Sequence, residues 1–257
     1  MVGRIFLPGK TEVVIASAGG VGTTFLLSYV AQHRRTNSPV DWDGLKHSAL
    51  PPISFNPRCK FVYLHGSPQQ AVVSLFRRQL HSYQSVKLQA RGPKLISPIP
   101  KEMTLEEYAD QGVDRFHFRR HFFNWYHRYL SPHPTLFVRY ETLFENIRPL
   151  LDFLELPKEQ LEHFPRKQTR SSLAEGISAT TLAQLDEMYG DFARELAELD
   201  DVEVRQGGRH WPMAGRYFEV PYLKAYAGQG AFEVKALLEQ HAPKTYTMLR
   251  NALRPFA

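Results

Sequence analysis

The stretch Glu12–Phe25, EVVIASAGGVGTTF, constrains this chain more than any other. Glu12–Ala16 is a short, β-branched apolar run, the pattern of a strand buried in a parallel sheet. Gly19, Gly20 and Gly22 follow, then Thr23 and Thr24, then FLLSYVAQH with helical character. Strand, glycine-rich turn and helix open a nucleotide-binding βα unit. Glycine frees backbone N–H groups to ring a phosphate at a helix N-terminus, and the two threonines add hydroxyl donors. The same residues also make a tight strand-to-helix turn with glycine for close packing. The loop alone leaves both readings open.

The rest of the chain repeats the alternation. Lys60–His65, KFVYLH, reads as a second strand. Ser67 can cap the next helix with Pro68 at its first position and Gln70 at its third, a capping box, and AVVSLFRRQLHSY carries that helix on. Residues 34–58 and 91–103 are proline-rich and read as loop and linker. Thr104 with Glu107 forms another capping box ahead of a long aromatic helical region over 105–130, broken near Gly112. Thr135–Arg139 is a third strand, followed by the helix ENIRPLLDFLEL. Residues 157–177 are basic and irregular, and Thr180–Leu199 is an amphipathic helix. Strands separated by helices predict an α/β domain, three-layered, with a central, mostly parallel sheet. The expected division is an α/β domain over 1–200 with a C-terminal extension, 201–257, packed on it.

Composition removes several function classes. The 257 residues carry a net charge of +6 without a long Lys/Arg block. An anionic ligand suits that balance, and a nucleic-acid partner is not expected. Cys59 is the single cysteine, so no internal disulfide or thiolate cage forms. The histidines show no HExxH; His117 and His121 share a helical spacing without an evident acidic third ligand, and no metal is expected. No apolar run reaches about 18 residues, so no membrane-spanning helix is predicted. The segment VVIASA, broken by glycine, reads as a strand and not a signal peptide, and the expected location is the cytoplasm.

The segment FVYLHGSPQQAVVSLFRR resembles the 3′-phosphate-binding segment of sulfotransferases that use 3′-phosphoadenosine 5′-phosphosulfate (PAPS). In that family a serine six residues after the proline, and an arginine two before it, hold the 3′-phosphate. Ser74 matches. Gly66 stands at the arginine position, and Arg77 or Arg78 is the expected substitute. The family's 5′-phosphosulfate loop usually reads KSGTTW; here GVGTTF, Gly20–Phe25, takes its place with Val21 second. Gly22, Thr23 and Thr24 match it. Phe25 replaces the tryptophan beside adenine, and Gly20 replaces the lysine on the bridging oxygen. LKHSALPP resembles the segment with the catalytic histidine, which makes His47 the candidate base. Trp125 and RYETL sit where the family has an acceptor-side tryptophan and a Tyr-Glu-Asp-Leu turn, which places Tyr140 near the adenine. FPRKQTRSS falls where a basic loop meets the 3′-phosphate, with Arg166, Lys167 or Arg170 as candidates. The aromatic set around Phe122 is assigned mostly to packing.

The resemblance covers about residues 12–196 and implies a P-loop-like fold. It also implies PAPS as co-substrate and a hydroxyl on a sugar, glycan or small molecule as acceptor. Three rivals stand beside it: a nucleotide-binding protein without transfer activity, a P-loop kinase or ATPase, and a basic interaction module. The second needs GxxxxGK[ST], and its lysine is absent. That absence also leaves the leaving group of sulfuryl transfer without its usual cation. Lys46 or Arg77 can reach in, the helix dipole and amides can suffice, or transfer is lost; the first is expected.

Overall fold

A computed structural model of the chain describes residues 6–7, 10–41, 43–54, 56–88, 98–128, 133–165 and 175–206. The apolar run after Glu12 forms strand β2 (Val13–Ser17), preceded by the two-residue strand β1 (Phe6–Leu7), which pairs in parallel with β3 (Ile53–Ser54). Helix α1 (Thr23–Val30) follows the glycine loop. Strands β4 (Lys60–His65) and β5 (Thr135–Arg139) come next, and β6 (Val202–Arg205) completes a sheet of order β2-β4-β5-β6. The first three run parallel, with Ile15 beside Val62 and Val62 beside Leu136. β6 is antiparallel to β5, so the sheet continues past residue 200.

Side chains alternate across a strand with period two, and here the alternation separates two cores. Val14, Ala16, Phe61, Tyr63 and Phe137 face one way, onto helices α2 (Pro68–Arg77), α4 (Leu105–Asp110), α5 (Phe118–Phe123) and α7 (Ala179–Ala197). Ile15, Val62, Leu64, Leu136 and Val138 face the other, onto α1 and α6 (Ile147–Phe153). Helices therefore cover both faces of a mostly parallel sheet, the expected three-layer arrangement.

Two local expectations need correction. The helix after Pro68 does not run on to Tyr83. It stops at Arg77, and α3 (His81–Leu88) starts anew. Gln79, at φ 55°, closes α2 with Gln79 N–H donating to the Phe76 carbonyl (2.9 Å) and Leu80 N–H to the Leu75 carbonyl (2.9 Å). This is a Schellman motif with glutamine where glycine is usual. The box at Ser67 is also only half formed. Ser67 Oγ accepts from Gln70 N–H (3.2 Å), but Ser67 N–H donates to Glu141 Oε1 (2.8 Å), on the turn after β5. The box at Thr104 and Glu107 is complete. The aromatic region breaks at Gly112, φ 60°, and α5 passes into a π-helical turn, Asn124–Arg128.

Burial of His65, 5 % exposed at the end of β4, leaves both ring nitrogens without a hydrogen-bond partner among the described residues. Desolvation, helped by Arg139, lowers its pKa to about 4. The unfolded chain, near 6.5, then binds more protons than the folded one between those values, so stability falls as pH drops through that window. His65→Leu is expected to remove about 1 kcal/mol per pH unit from the slope of stability between pH 6.5 and 5. Urea melts of both proteins check this; parallel slopes would contradict it.

Candidate active site

Ligands of open α/β sheets bind beyond the carboxyl ends of the strands, and the loops after β2 and β4 meet there. In the first, Gly19, Gly20 and Gly22 hold φ of 101°, 76° and 74°, a region where only glycine is unstrained. Gly19 N–H donates to Ser17 Oγ (2.9 Å), which is hydrogen-bonded to Thr23 Oγ1 (2.5 Å). Thr23 is buried, and its hydroxyl is occupied inside the loop; Thr24 is exposed at its mouth. Val21 turns its side chain into the core, 6 % exposed, so only its backbone faces the loop.

The packing around Gly20 leaves no room for a side chain. A Cβ there would lie 2.7 Å from Ala71 Cα and 2.9 Å from the Ala71 carbonyl oxygen. The backbone of α2 occupies the space where a side chain would leave the loop. Gly20→Lys is therefore expected to destabilise the fold by roughly 1–3 kcal/mol and to restore no function. Thermal unfolding of the variant checks this, and an unchanged midpoint would contradict it. Gly22 is closed in the same way, because a Cβ there would clash with the ring of Tyr140, which lies against the loop.

A cation reaches the loop from elsewhere. Lys46 Nζ donates to Thr24 Oγ1 (3.2 Å) and to the Pro39 carbonyl (2.7 Å). Burial lowers its pKa, and nearby Asp41 opposes that shift. The next residue, His47, makes a 2.9 Å hydrogen bond from Nδ1 to the Ser17 carbonyl. A carbonyl only accepts, so Nδ1 carries the proton and Nε2 is the basic nitrogen. Burial lowers the His47 pKa to about 3, which keeps the imidazole neutral near pH 7.

Three donors on the α5 and π-helical segment hold the backbone behind His47. His121 Nε2 donates to the carbonyl of His47 (3.4 Å), Trp125 Nε1 to that of Ser48 (2.8 Å) and Asn124 Nδ2 to that of Ala49 (3.2 Å). Tyr63, on the central strand, bonds His121 Nδ1 at 2.7 Å and fixes its tautomer. Trp125 is 2 % exposed and packs on Tyr63 and Phe61, so it is a core and clamp residue and not an open platform. The chain offered no local signal for this clamp, because the donors lie more than 70 residues from the carbonyls they hold.

Helix α2 supplies the opposite wall. Thr24, Lys46, His47, Ser74, Arg77 and Arg78 line one cleft of about 820 Å³, along with Gly20, Gly22, Thr23 and Phe25. No carboxylate is among its described lining residues. Arg78 Nε donates to the Ser74 carbonyl (3.0 Å), and Arg77 Nη2 to that of Glu175. Phe25 reaches the cleft from a cluster with Phe144 and Phe164. At Gly66 a Cβ would meet Glu141 Oε1 at 2.8 Å, so a carboxylate stands against the position of the expected arginine. Arg166, Lys167 and Arg170 lie outside the described residues, as does the chain from 207 onward. Gln70 and Gln84 also line the cleft; the sequence reading missed this role for both. Gln84 Nε2 donates to the Ala18 carbonyl (2.9 Å) and braces the loop.

A glycine loop at a helix N-terminus, a neutral histidine and three basic side chains thus meet in one cleft of an α/β protein. Residues 44–179 match the sulfotransferase domain family, and the chain belongs to that family. The match spans His47, Ser74 and Tyr140 and begins downstream of the glycine loop. Its sulfotransferase domain supports sulfuryl transfer as the class of reaction. No curated protein matches the chain. No helix among the described residues is long and apolar enough to cross a membrane.

Proposed function

We propose that this protein transfers a sulfuryl group from PAPS to a hydroxyl of a sugar, glycan or small-molecule acceptor. The carrying observation is that Thr24 and Ser74, from the two βα junctions, line one cleft with three cations and no carboxylate among its described lining residues. A donor with phosphates at both ends of its adenosine needs two such anchoring points. The glycine loop fits a phosphate because left-handed Gly19, Gly20 and Gly22 turn the backbone into the N-terminus of α1, where free N–H groups favour an anion. In this reading the loop amides and Thr24 hold the 5′-phosphate, and Ser74 with Arg77 or Arg78 holds the 3′-phosphate. Phe25 and Tyr140 border the adenine.

PAPS supplies the sulfuryl group and a phosphate leaving group. The chain supplies the rest. His47 Nε2 accepts the proton of the acceptor hydroxyl, with the ring oriented by the Ser17 carbonyl. Lys46 stands at the loop mouth and meets negative charge growing on the leaving side, the electrostatic contribution that usually dominates such reactions. Bound phosphates favour the imidazolium, so the pKa of His47 rises on binding from its value of about 3.

Calorimetry with 3′-phosphoadenosine 5′-phosphate against ATP with magnesium, beside a transfer assay over a panel of hydroxyl acceptors, tests the proposal. The expected result is preference for the 3′-phosphorylated nucleotide together with turnover. Binding without turnover on any acceptor would favour a nucleotide-binding protein that has lost transfer, and preference for ATP with magnesium would favour a kinase or ATPase.

A further inference from the structure

Behind Lys46 lies an ion pair that the reaction does not use. Lys87 Nζ, on α3, bonds Asp41 Oδ2, and the two side chains are only 4 % and 2 % exposed. Burying two charges is a poor source of stability, because lost hydration offsets the attraction. The location of the pair is more informative. Asp41 Oδ1 accepts the backbone N–H of Lys46 (2.9 Å). Asp41 N–H donates to the Ser38 carbonyl (3.1 Å), and its own carbonyl accepts from Gly44 N–H (3.2 Å). Its φ of 62° is a left-handed conformation that aspartate tolerates better than most side chains. The loop that delivers Lys46 and His47 is therefore wound around one carboxylate, and α3 grips that carboxylate from behind.

We propose that the Asp41–Lys87 pair is a positioning device for Lys46. Asp41 fixes the backbone and sustains the ammonium charge, while Lys87 occupies Oδ2 and leaves the ammonium to Thr24. Without Lys87, Asp41 Oδ2 is left unmatched and draws the Lys46 ammonium off the glycine loop. Without Asp41, Lys46 and Lys87 repel and the backbone anchor is lost. The charged groups acting on Lys46 are Asp41 and Asp43 from its own loop, Lys87 from α3 and Arg78 from α2; the two carboxylates raise its pKa and the two cations lower it. Asp43 is itself tied to the backbone N–H groups of Ser38 and Leu45. The inference rests on the reading of the cleft given above, in which Lys46 serves the leaving group.

The test is an NMR titration of the full chain labelled with [ε-13C]lysine, the Lys46 resonance being assigned by its loss in Lys46→Arg. Relative to the unsubstituted protein, Asp41→Asn is expected to move the Lys46 midpoint to lower pH, and Lys87→Met to higher pH. Lys87→Arg, which keeps the charge, is expected to return it to the original value. Shifts in the same direction, or none, would overturn the proposal, since the pair would then not set the charge at Lys46. If a single variant does not fold, the double variant D41N/K87M carries the test. Asp41 outweighs Lys87 at Lys46, so its midpoint is expected below that of the unsubstituted protein, and a midpoint at or above it is the overturning result. The titration needs neither nucleotide nor acceptor. A chain that transfers nothing can still show opposite shifts, and an active one can still lack them.

Discussion

His47→Gln is expected to lower turnover by about 10²–10⁴-fold while leaving binding of 3′-phosphoadenosine 5′-phosphate unchanged. The size of the effect follows from the tautomer. Nδ1–H is held by the Ser17 carbonyl at 2.9 Å, so the ring presents Nε2 as a fixed acceptor. Glutamine keeps much of the volume and can keep a donor toward Ser17, but an amide takes up no proton near neutral pH. The loss therefore falls on the chemical step and not on the ligand. The variant should also lose the acidic limb of the kcat profile, which in the enzyme lies above the free-protein pKa of about 3 because bound phosphates favour the imidazolium. Single-turnover transfer and calorimetry on the same preparation check both halves. Full turnover in the variant would remove His47 from the mechanism.

Lys46→Met should cost about 10²–10³-fold in kcat, with a smaller loss in nucleotide affinity. Its ammonium lies on the glycine loop, 3.2 Å from Thr24 Oγ1. Methionine preserves the stem and removes only the charge and its donors. Lys46→Arg keeps the charge with a broader, planar head and is expected to recover part of the rate. A loss confined to KM would mean that Lys46 only helps to bind the ground state. Taken with the expected failure of Gly20→Lys, this result would show that the loop's charge arrives from the segment before His47 because α2 packs too closely to admit a lysine from the loop itself.

Much of the framework was legible in the chain because local chemistry determines it. The β-branched run before the glycines, the capping pair Thr104 and Glu107, and the strand Lys60–His65 all appear where their patterns place them. The break between α2 and α3 was not legible, because its left-handed residue is Gln79 and nothing local distinguishes it from a helix interior. Strand β6 was missed for a different reason: VEVR is short and partly exposed, and it is fixed by pairing with β5, more than 60 residues away. At the site, the same division holds. The glycine loop, Ser74 and His47 carry sequence signals. The partners of Lys46, the clamp on residues 47–49 and the pairing of Asp41 with Lys87 are contacts between distant segments, and single-sequence patterns do not encode them.

The most direct test of the account is a crystal structure of the protein with 3′-phosphoadenosine 5′-phosphate. The 5′-phosphate is expected on the backbone amides of Gly22–Thr24 with Lys46 beside it, and the 3′-phosphate at Ser74. A nucleotide bound elsewhere, or one whose phosphates leave both Thr24 and Ser74 untouched, would contradict it.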